Sequence, residues 1–396
     1  MIVRKTKKEE NQRINELFAI AFELSASDGP AEEEEGENIH HWAAFEDKTG
    51  AMMSTFTISD YQIQFDGAHC KMGGIGGVAT LPEYRRMGGI RGCFEQALPD
   101  MYQEQYDFSY LYPFSTAYYR KFGYECCVQK MMVSIELIKC GKINIAGKYV
   151  LCESNHNMKD EIRMIYNQWA EKYNMMVIRK EKDFDWINKF EPAKTLEFTY
   201  VYFDKNQTAK AYTTFKKVDE EDGRNLVCSR ICFSDREGFQ GLLALFQSLS
   251  SDHIYVKFSL PAKEMMEYLF PEWAMGAISC TIQNAGMLRV VNVESVLKKA
   301  KYQGSGTVVL EIEDRFIKEN TAVYTVQFEN DRAVSVKKGG KDPDLVLTIS
   351  TFSILIAGVA SFEEAEEWIS DMMVIKNKEQ LRKVFYKKPM MITDYF

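Results

Sequence analysis

Residues 84–92 read YRRMGGIRG, and this stretch decides how the chain is interpreted. It follows the strand-like segment GGIGGVAT, residues 73–80, and precedes residues 90–101, where apolar side chains recur at helical spacing. Glycines allow main-chain N–H groups to approach a ligand closely, and the start of a helix adds the positive end of its dipole. With three arginines beside them, these residues suit a pyrophosphate, although an ordinary basic turn fits nine residues equally well. The kinase-like phosphate loop GxxxxGK[ST] is absent.

The length and charge of the chain limit the classes of function. A chain of 396 residues predicts two to four domains, and its apolar fraction of 46% is enough for real cores. The net charge of −8 argues against a nucleic-acid partner. An acidic protein would attract a cationic small molecule, but acidity is also common among soluble proteins.

The cysteines and the hydropathy pattern bear on the compartment. The nine cysteines are odd in number and none forms a CxxC pair, so neither a disulfide framework nor a structural metal is predicted. No stretch is long and apolar enough for a membrane span, and the N-terminus lacks the apolar segment of a signal peptide. We therefore expect a cytoplasmic protein without a metal.

The order of the predicted elements indicates an α+β fold with three domains, at 1–145, 146–286 and 287–396. The second region repeats a strand–helix–strand pattern over residues 226–258. Its linking segment, Ser234 to Glu237, is acidic and has no glycine, so we interpret it as a degenerate copy that binds no phosphate. In the last region we expect a short helix, four strands and then helices, one of them from Phe362 to Met373. Pro99 is expected to kink or shorten the helix after the arginine–glycine loop.

Two segments together resemble a known family. VATLPEYRRMGGIRG, residues 78–92, with AYYRKFGYE, residues 117–125, is similar to the acetyl-CoA signature of the GNAT acetyltransferase superfamily. The form R-R-x-G-x-x-R resembles one branch, the enhanced intracellular survival (Eis) family. The resemblance implies tandem GNAT (acyl-CoA N-acyltransferase) domains, the second without cofactor, followed by a sterol-carrier-protein-like α/β domain.

The same resemblance implies a set of cofactor-binding residues. The strand end would pair with the pantetheine, the loop would wrap the pyrophosphate, and the segment after the next strand would line the thioester side. At two positions, Ile90 and Phe114, this chain has a bulky residue where the family motif has a small one. The implied residues are Val78, Ala79, Thr80, Arg85, Arg86, Met87, Gly88, Gly89, Ile90, Arg91, Phe114 and Ser115.

Two further residues are implied as catalytic. Tyr119 matches the tyrosine that protonates the leaving thiolate, with Tyr118 as its neighbouring competitor. In the family the general base is the terminal carboxylate, here that of Phe396. A free α-carboxylate has a pKa of about 3.3–3.7, and burial would raise it toward a useful value. The apolar ending ITDYF favours a buried tail over an ordinary frayed terminus.

The resemblance therefore implies an acetyl-CoA-dependent N-acetyltransferase that acts on amine-rich cationic substrates, such as aminoglycosides, polyamines or lysine side chains of peptides. Glu32 to Glu35 and Asp394 could make the cleft negative. The alternative is a lipid-binding protein whose GNAT domain senses acetyl-CoA. A homo-oligomer, specifically a hexamer, is implied by the resemblance alone.

Overall fold

The computed structural model describes residues 1–23, 38–262 and 276–396. Contacts between Cα atoms divide the chain into two compact units. The first comprises residues 1–128, 285–388 and 392–396, and the second comprises residues 129–284 and 389–391. Within the described ranges no helix combines the length and apolar character needed to cross a membrane.

The strands, in chain order, are β1 Ile2–Lys5, β2 Ile39–Phe45, β3 Met52–Phe65, β4 Ala68–Thr80, β5 Phe108–Leu111, β6 Glu125–Cys126, β7 Gln129–Glu136, β8 Lys148–Leu151, β9 Glu197–Phe203, β10 Ala209–Glu220, β11 Gly223–Phe233, β12 Tyr255–Pro261, β13 Ile278–Asn284, β14 Met287–Val290, β15 Gly306–Glu313, β16 Ala322–Glu329, β17 Arg332–Lys338, β18 Leu345–Thr348 and β19 Met372–Val374. The α-helices are α1 Asn11–Phe22, α2 Gly89–Gln103, α3 Thr116–Arg120, α4 Lys159–Ala170, α5 Pro192–Thr195, α6 Arg236–Gln247, α7 Val293–Lys299, α8 Ile349–Ala357, α9 Phe362–Trp368 and α10 Lys378–Val384.

The first sheet has the order β1-β2-β3-β4-β5-β14-β6 and opens between β4 and β5. These two strands are parallel and pair only from Met72 with Phe108 to Ile75 with Leu111. Beyond Ile75, β4 continues to Thr80 on β3 alone, through a register shift opposite Thr55 and Thr57. Gly77, at φ +57°, lies in this bulge. A bulge bends a strand and re-aims its main chain, so the two strands diverge into a gap.

Helix α2 packs against this sheet and carries the arginine–glycine loop at its start. A Cβ atom added to Gly89 would lie 2.3 Å from Ser54 Oγ, so only glycine allows the helix to approach β3 so closely. The helix continues through Pro99 to Gln103, and the expected shortening is wrong. Leu98 and Met101 are buried on either side of the proline, and their packing holds the last turns in place.

The second unit repeats this arrangement in its own sheet, whose order is β8-β9-β10-β11-β12-β7-β13. Strands β11 and β12 are parallel and pair at only two positions, with α6 connecting them. The core between α6 and the sheet includes Phe239, Leu242, Phe246 and Phe215. The two sheets therefore share one strand order and one parallel crossover through a helix.

The first sheet takes one of its strands from a distant part of the sequence. Strand β7 directly follows β6, yet it pairs with β12 and β13 in the second sheet. Strand β14 directly follows β13, yet it lies between β5 and β6 in the first sheet. The second sheet is therefore built from one continuous segment, residues 129–284, whereas the first sheet is completed by β14 from beyond that segment.

The third sheet has the order β17-β16-β15-β18-β19 and belongs to the first unit. Helices α8, α9 and α10 follow its strand β18. The helix expected from Phe362 to Met373 ends at Trp368, because Met372 to Val374 pair with β18 as an edge strand. The domain limits 1–145, 146–286 and 287–396 stay a prediction, and the pairing of β7 would place the first limit near residue 128.

Candidate active site

A cavity of about 1120 Å³ opens where β4 leaves β5. It contains ten of the twelve residues that the sequence implies for the cofactor; Met87 and Ser115 are the two that do not line it. Met87 is exposed, and Ser115 instead caps helix α3 by accepting a hydrogen bond from the Tyr118 N–H. The lining residues are Ala21, Phe22, Val78, Ala79, Thr80, Tyr84, Arg85, Arg86, Gly88, Gly89, Ile90, Arg91, Glu95, Phe114, Tyr118, Lys121, Phe122, Arg315 and Phe316.

The start of α2 presents unsatisfied donors to this cavity. Gly88 occupies the N-cap position with φ +84°, so it has no side chain to accept a hydrogen bond from the first turn. Arg85 and Arg86 make no ion pair with a described residue, whereas Arg91 binds Glu95 at 2.9 Å. Free N–H groups at a helix start, next to unpaired guanidinium groups, form an anion site. The residues present therefore fit the pyrophosphate of a coenzyme A thioester.

The edge of β4 completes the fit. In the described chain, no strand pairs with Val78 to Thr80 on the side that faces β5. Their main-chain groups are therefore available to the amides of a pantetheine arm. Phe114, 73% exposed, lies beyond the end of β5 with its ring 5.4 Å from those of Tyr118 and Tyr119. It contributes an apolar wall at a position where the family motif has a small residue.

The two tyrosines of α3 differ in exposure. Tyr118 is half-buried and lines the cavity, whereas Tyr119 is 2% exposed and packs against Phe94 and Tyr124. The Tyr124 hydroxyl is bonded to Ser109 at 2.6 Å, but no described residue forms a hydrogen bond with the Tyr119 hydroxyl. Burial raises the pKa of both Tyr118 and Tyr119, so each keeps its proton at neutral pH and could donate it. The catalytic role of Tyr119 stays a prediction.

The end of the chain lies on the glycine-rich part of β4. Cβ atoms added to Gly74 and Gly76 would lie 2.7 Å from the Phe396 ring and 2.9 Å from the Phe396 carboxyl carbon, respectively. The run GGIGG therefore provides the space that seats the terminal ring and its carboxyl group. Rings of Tyr61 and Tyr112 lie 5.2 and 5.5 Å from the Phe396 ring.

The tail before Phe396 is fixed by polar and aromatic contacts. The Tyr112 hydroxyl donates a 2.6 Å hydrogen bond to the Asp394 carbonyl oxygen. Ile392 is buried, but Tyr395 is 81% exposed, and its ring lies tilted against that of Tyr112 with the ring centres 4.5 Å apart. The tail is thus ordered by contacts with β5 and its following residues, not by uniform burial. Glu32 to Glu35 lie outside the described residues.

The sequence missed several members of this site. Phe22 adjoins the predicted loop in space, whereas Tyr84 lies within the first quoted segment, YRRMGGIRG, and Lys121 within the second, AYYRKFGYE. Arg315 and Phe316 come from the loop after β15, and no local signal connects them to residues 84–92. Among the described residues, no group of three or more His, Cys, Asp or Glu side chains is arranged to hold a metal ion, and the absence of a metal stays a prediction.

Comparison with known proteins agrees with this geometry. Residues 2–127 match the acetyltransferase (GNAT) domain family, and residues 293–388 match the sterol carrier protein domain family. No curated protein sequence is significantly similar to the chain.

Three solved structures share the fold over the whole chain. One is a conserved protein of unknown function from Enterococcus faecalis V583, described as a probable N-acyltransferase, at 23% identity and TM-score 0.86, covering 100% of this chain and 99% of that one. A GCN5-related N-acetyltransferase from Anabaena variabilis has 19% identity and TM-score 0.85, with 100% of both chains covered. Eis1 from Mycobacterium abscessus has 16% identity and TM-score 0.81, again with 100% of both chains covered.

These matches confirm the predicted fold of tandem GNAT domains with a sterol-carrier-like domain. They also confirm the predicted enzyme class, since the GNAT domain is the acetyltransferase domain that uses an acyl-CoA. The chain therefore carries an acetyltransferase (GNAT) domain and, after it, a sterol carrier protein domain, in a fold that the three solved structures share over the whole of this chain.

Proposed function

We propose that the chain transfers the acetyl group of acetyl-CoA directly to a primary amine of a cationic substrate, with the Phe396 carboxylate as general base. The observation that carries this proposal is the position of that carboxyl group on Gly76, where β4 begins to leave β5. The bound thioester supplies an activated acyl carbon in this gap. The edge of β4 and the start of α2 hold the thioester in place.

The proton transfers follow from the side chains around the gap. An amine arrives as ammonium, and the Phe396 carboxylate accepts one of its protons so that the nitrogen lone pair can attack the acyl carbon. When the carbon–sulfur bond breaks, the departing thiolate takes a proton from the Tyr119 hydroxyl, with Tyr118 as the alternative donor. The new amide nitrogen then loses its second proton, which restores the phenol. Because burial raises the pKa of both phenols, they remain protonated until the thiolate forms.

The surroundings of the carboxyl group support a cationic acceptor. Tyr61, Tyr112 and Tyr395 place aromatic rings around Phe396 and the tail, and aromatic faces attract ammonium groups. The net charge of −8 also attracts cationic substrates, over a longer range. Aminoglycosides, polyamines and lysine side chains have this chemistry. The cytoplasmic location is inferred from the cysteine pattern and the sequence of the N-terminus, and the hexameric assembly from the family resemblance.

The test is steady-state acetyl transfer to a polyamine by the native chain and by a form without Phe396. Deletion withdraws the carboxylate by about 3.3–3.6 Å, which exceeds the reach of a proton transfer. We expect kcat to fall by roughly 10²- to 10⁴-fold while acetyl-CoA affinity is unchanged. The control is Phe396→Leu, which removes the ring but keeps the terminal carboxylate and should retain most of the activity.

Full activity of the deleted form would eliminate the terminal carboxylate as base. If the native chain binds acetyl-CoA but transfers acetyl to no amine, the alternative of a lipid-binding protein with an acetyl-CoA-sensing domain would replace the proposal.

The proton donor is tested by comparing Tyr119→Phe with Tyr118→Phe. We expect Tyr119→Phe to lower kcat by about 10²-fold or more without changing acetyl-CoA affinity, because the hydroxyl acts only when the thiolate leaves. Tyr118→Phe should have a small effect. The opposite result would transfer the role to the tyrosine that lines the cavity.

A further inference from the structure

One wall of the coenzyme cavity comes from the sterol-carrier-like domain. Arg315 and Phe316 line the cavity and lie in the loop after β15, within the segment that matches the sterol carrier protein family. The GNAT family match ends at residue 127 and does not include them. A coenzyme in this cavity would therefore meet side chains that the GNAT domain does not supply.

The backbone that presents Arg315 is fixed by its buried neighbour Asp314. The Asp314 carboxylate and the Arg289 side chain are fully buried and lie 2.7 Å apart at their closest atoms. The same carboxylate accepts hydrogen bonds from the N–H groups of Phe316 and Ile317 at 2.9 and 3.1 Å, and from Asn320 Nδ2 at 3.0 Å. Since Arg289 belongs to β14, this network ties the loop to the first sheet.

An aromatic contact docks the same loop beside α2. The Phe316 ring lies 5.7 Å from that of Phe122, edge to face, and Phe122 stacks on Phe94 of α2 at 4.3 Å. Lys121 directly precedes Phe122, as Arg315 directly precedes Phe316. The two cations thus come from adjoining segments on one wall of the cavity.

Neither Lys121 nor Arg315 forms a close ion pair with a described residue. Arg315 is 86% exposed, and its nearest carboxylate oxygen, on the similarly exposed Glu313, is 3.7 Å away. Lys121 is exposed and lies 5.8 Å from the centre of the Tyr118 ring, and it forms no ion pair within the described part of the chain. Exposed contacts of this kind contribute little energy, so both side chains are free to bind an anion.

We propose that Lys121 and Arg315 bind the 3′-phosphate of coenzyme A. This inference rests on the proposed coenzyme site. Coenzyme A carries a pyrophosphate and, on the ribose, a phosphate monoester that is close to doubly charged at neutral pH. The uncapped start of α2 with Arg85 and Arg86 fits the pyrophosphate, which leaves two cations on the other wall for the monoester. Arginine offers two parallel N–H donors to phosphate oxygens, and lysine adds a point charge.

The assignment predicts that this wall discriminates between coenzyme A and 3′-dephospho-coenzyme A. Calorimetry would measure both dissociation constants for the native full-length chain and for Arg315→Met, a change at an exposed side chain that should not disturb folding. We expect the native chain to bind coenzyme A more tightly than the dephosphorylated form. Arg315→Met should weaken coenzyme A binding roughly tenfold and leave 3′-dephospho-coenzyme A unchanged.

Two further variants make the test specific. Arg382→Met removes an exposed arginine of the same domain that pairs with Glu363 and does not line the cavity, and it should change neither constant. The double variant Lys121→Met/Arg315→Met should bind the two ligands equally. If Arg315→Met weakens the binding of both ligands equally, or of neither, the inference is overturned while the proposed function stays intact. If neither ligand binds the native chain, the proposed function itself fails.

Discussion

Helices α2 and α6 connect equivalent parallel strands in two sheets of the same order, but their first turns are satisfied in opposite ways. At α2 the N-cap is Gly88, which offers no side-chain acceptor, and Arg85 and Arg86 beside it form no ion pair with any residue that the structure describes. At α6 the N-cap is Asp235, whose carboxylate accepts a 2.9 Å hydrogen bond from the Gly238 N–H. Lys210 pairs with the same carboxylate at 2.8 Å. The first turn of α6 is thus capped by a carboxylate of the chain itself, whereas the first turn of α2 is open to an anion from a ligand.

Close packing of the helix on the sheet is retained in both copies. A Cβ atom added to Gly238 would lie 2.5 Å from the Lys210 carbonyl oxygen, much as one on Gly89 would meet Ser54. The glycines that allow this approach therefore serve the fold, and their presence does not by itself indicate a phosphate site. What distinguishes the two copies is the residue at the N-cap and the charge beside it.

The largest expected effect comes from giving α2 the cap of α6. In Gly88→Asp, a carboxylate would occupy the anion site and repel a pyrophosphate, at a cost of roughly 3 kcal/mol or about 100-fold in coenzyme A affinity. A side chain has room there, since no atom lies within 4 Å of an added Cβ. Gly88→Asn is the matched control, because it shares the backbone strain at φ +84° without the charge. Similar dissociation constants for the two variants, measured by calorimetry, would show that the cap charge does not decide binding.

A smaller effect is expected from removing one arginine at each helix. Arg86→Ala deletes a cation that no described carboxylate pairs with, and it should weaken coenzyme A binding by about 1–3 kcal/mol. Arg236→Ala, at the first position of α6, should leave the affinity unchanged. Titration should give one site per chain in both cases. Two equivalent sites in the native chain would contradict the proposed difference between the helices.

The smallest effect concerns stability. Asp235→Ala removes the cap of α6 and should lower the free energy of unfolding by about 1 kcal/mol, measured by urea denaturation, without creating a second coenzyme site. Burial acts to raise the pKa of Asp235, but hydrogen bonds from Lys210 and the Gly238 N–H outweigh it and lower the pKa below its ordinary 3.8.

Because this pKa is depressed in the folded state, the carboxylate stabilises the fold fully above the unfolded-state pKa. The difference between native and variant should then shrink as the pH falls below about 4. A difference that persists unchanged at lower pH would show that the charge of Asp235 does not contribute.

Local patterns predicted much of this site. The strand, the glycines and arginines and the apolar helix spacing are contiguous over residues 73–101, so their chemistry could be read directly. The repeated strand–helix–strand pattern was also predicted, and its acidic, glycine-free segment from Ser234 to Glu237 contains the residue that caps α6; the absence of a second coenzyme site stays a prediction. The placement of the Phe396 carboxyl on Gly76 agrees with the family resemblance, while its role as base is a matter for experiment.

Long-range pairing explains what the sequence did not predict. Strand β14 has only four residues, and nothing in Met287 to Val290 indicates that they pair with β5 and β6. Arg315 reaches the cavity because Asp314 and Arg289 hold its loop, an arrangement that depends on tertiary contacts. The end of α9 at Trp368 was missed for the same reason, since β18 recruits Met372 to Val374 as an edge strand.

The late position of β14 in the sequence has a consequence for biosynthesis. The sheet that carries the coenzyme cavity cannot be completed until residues 287–290 have left the ribosome, long after the segment that ends at β6. At typical rates of translation this delay is on the order of ten seconds or more. During it, the edge of β5 that later receives β14 is unpaired, which is the kind of surface on which nascent chains associate. In a chain truncated after residue 127, β14 would be missing and this edge of β5 would stay unpaired.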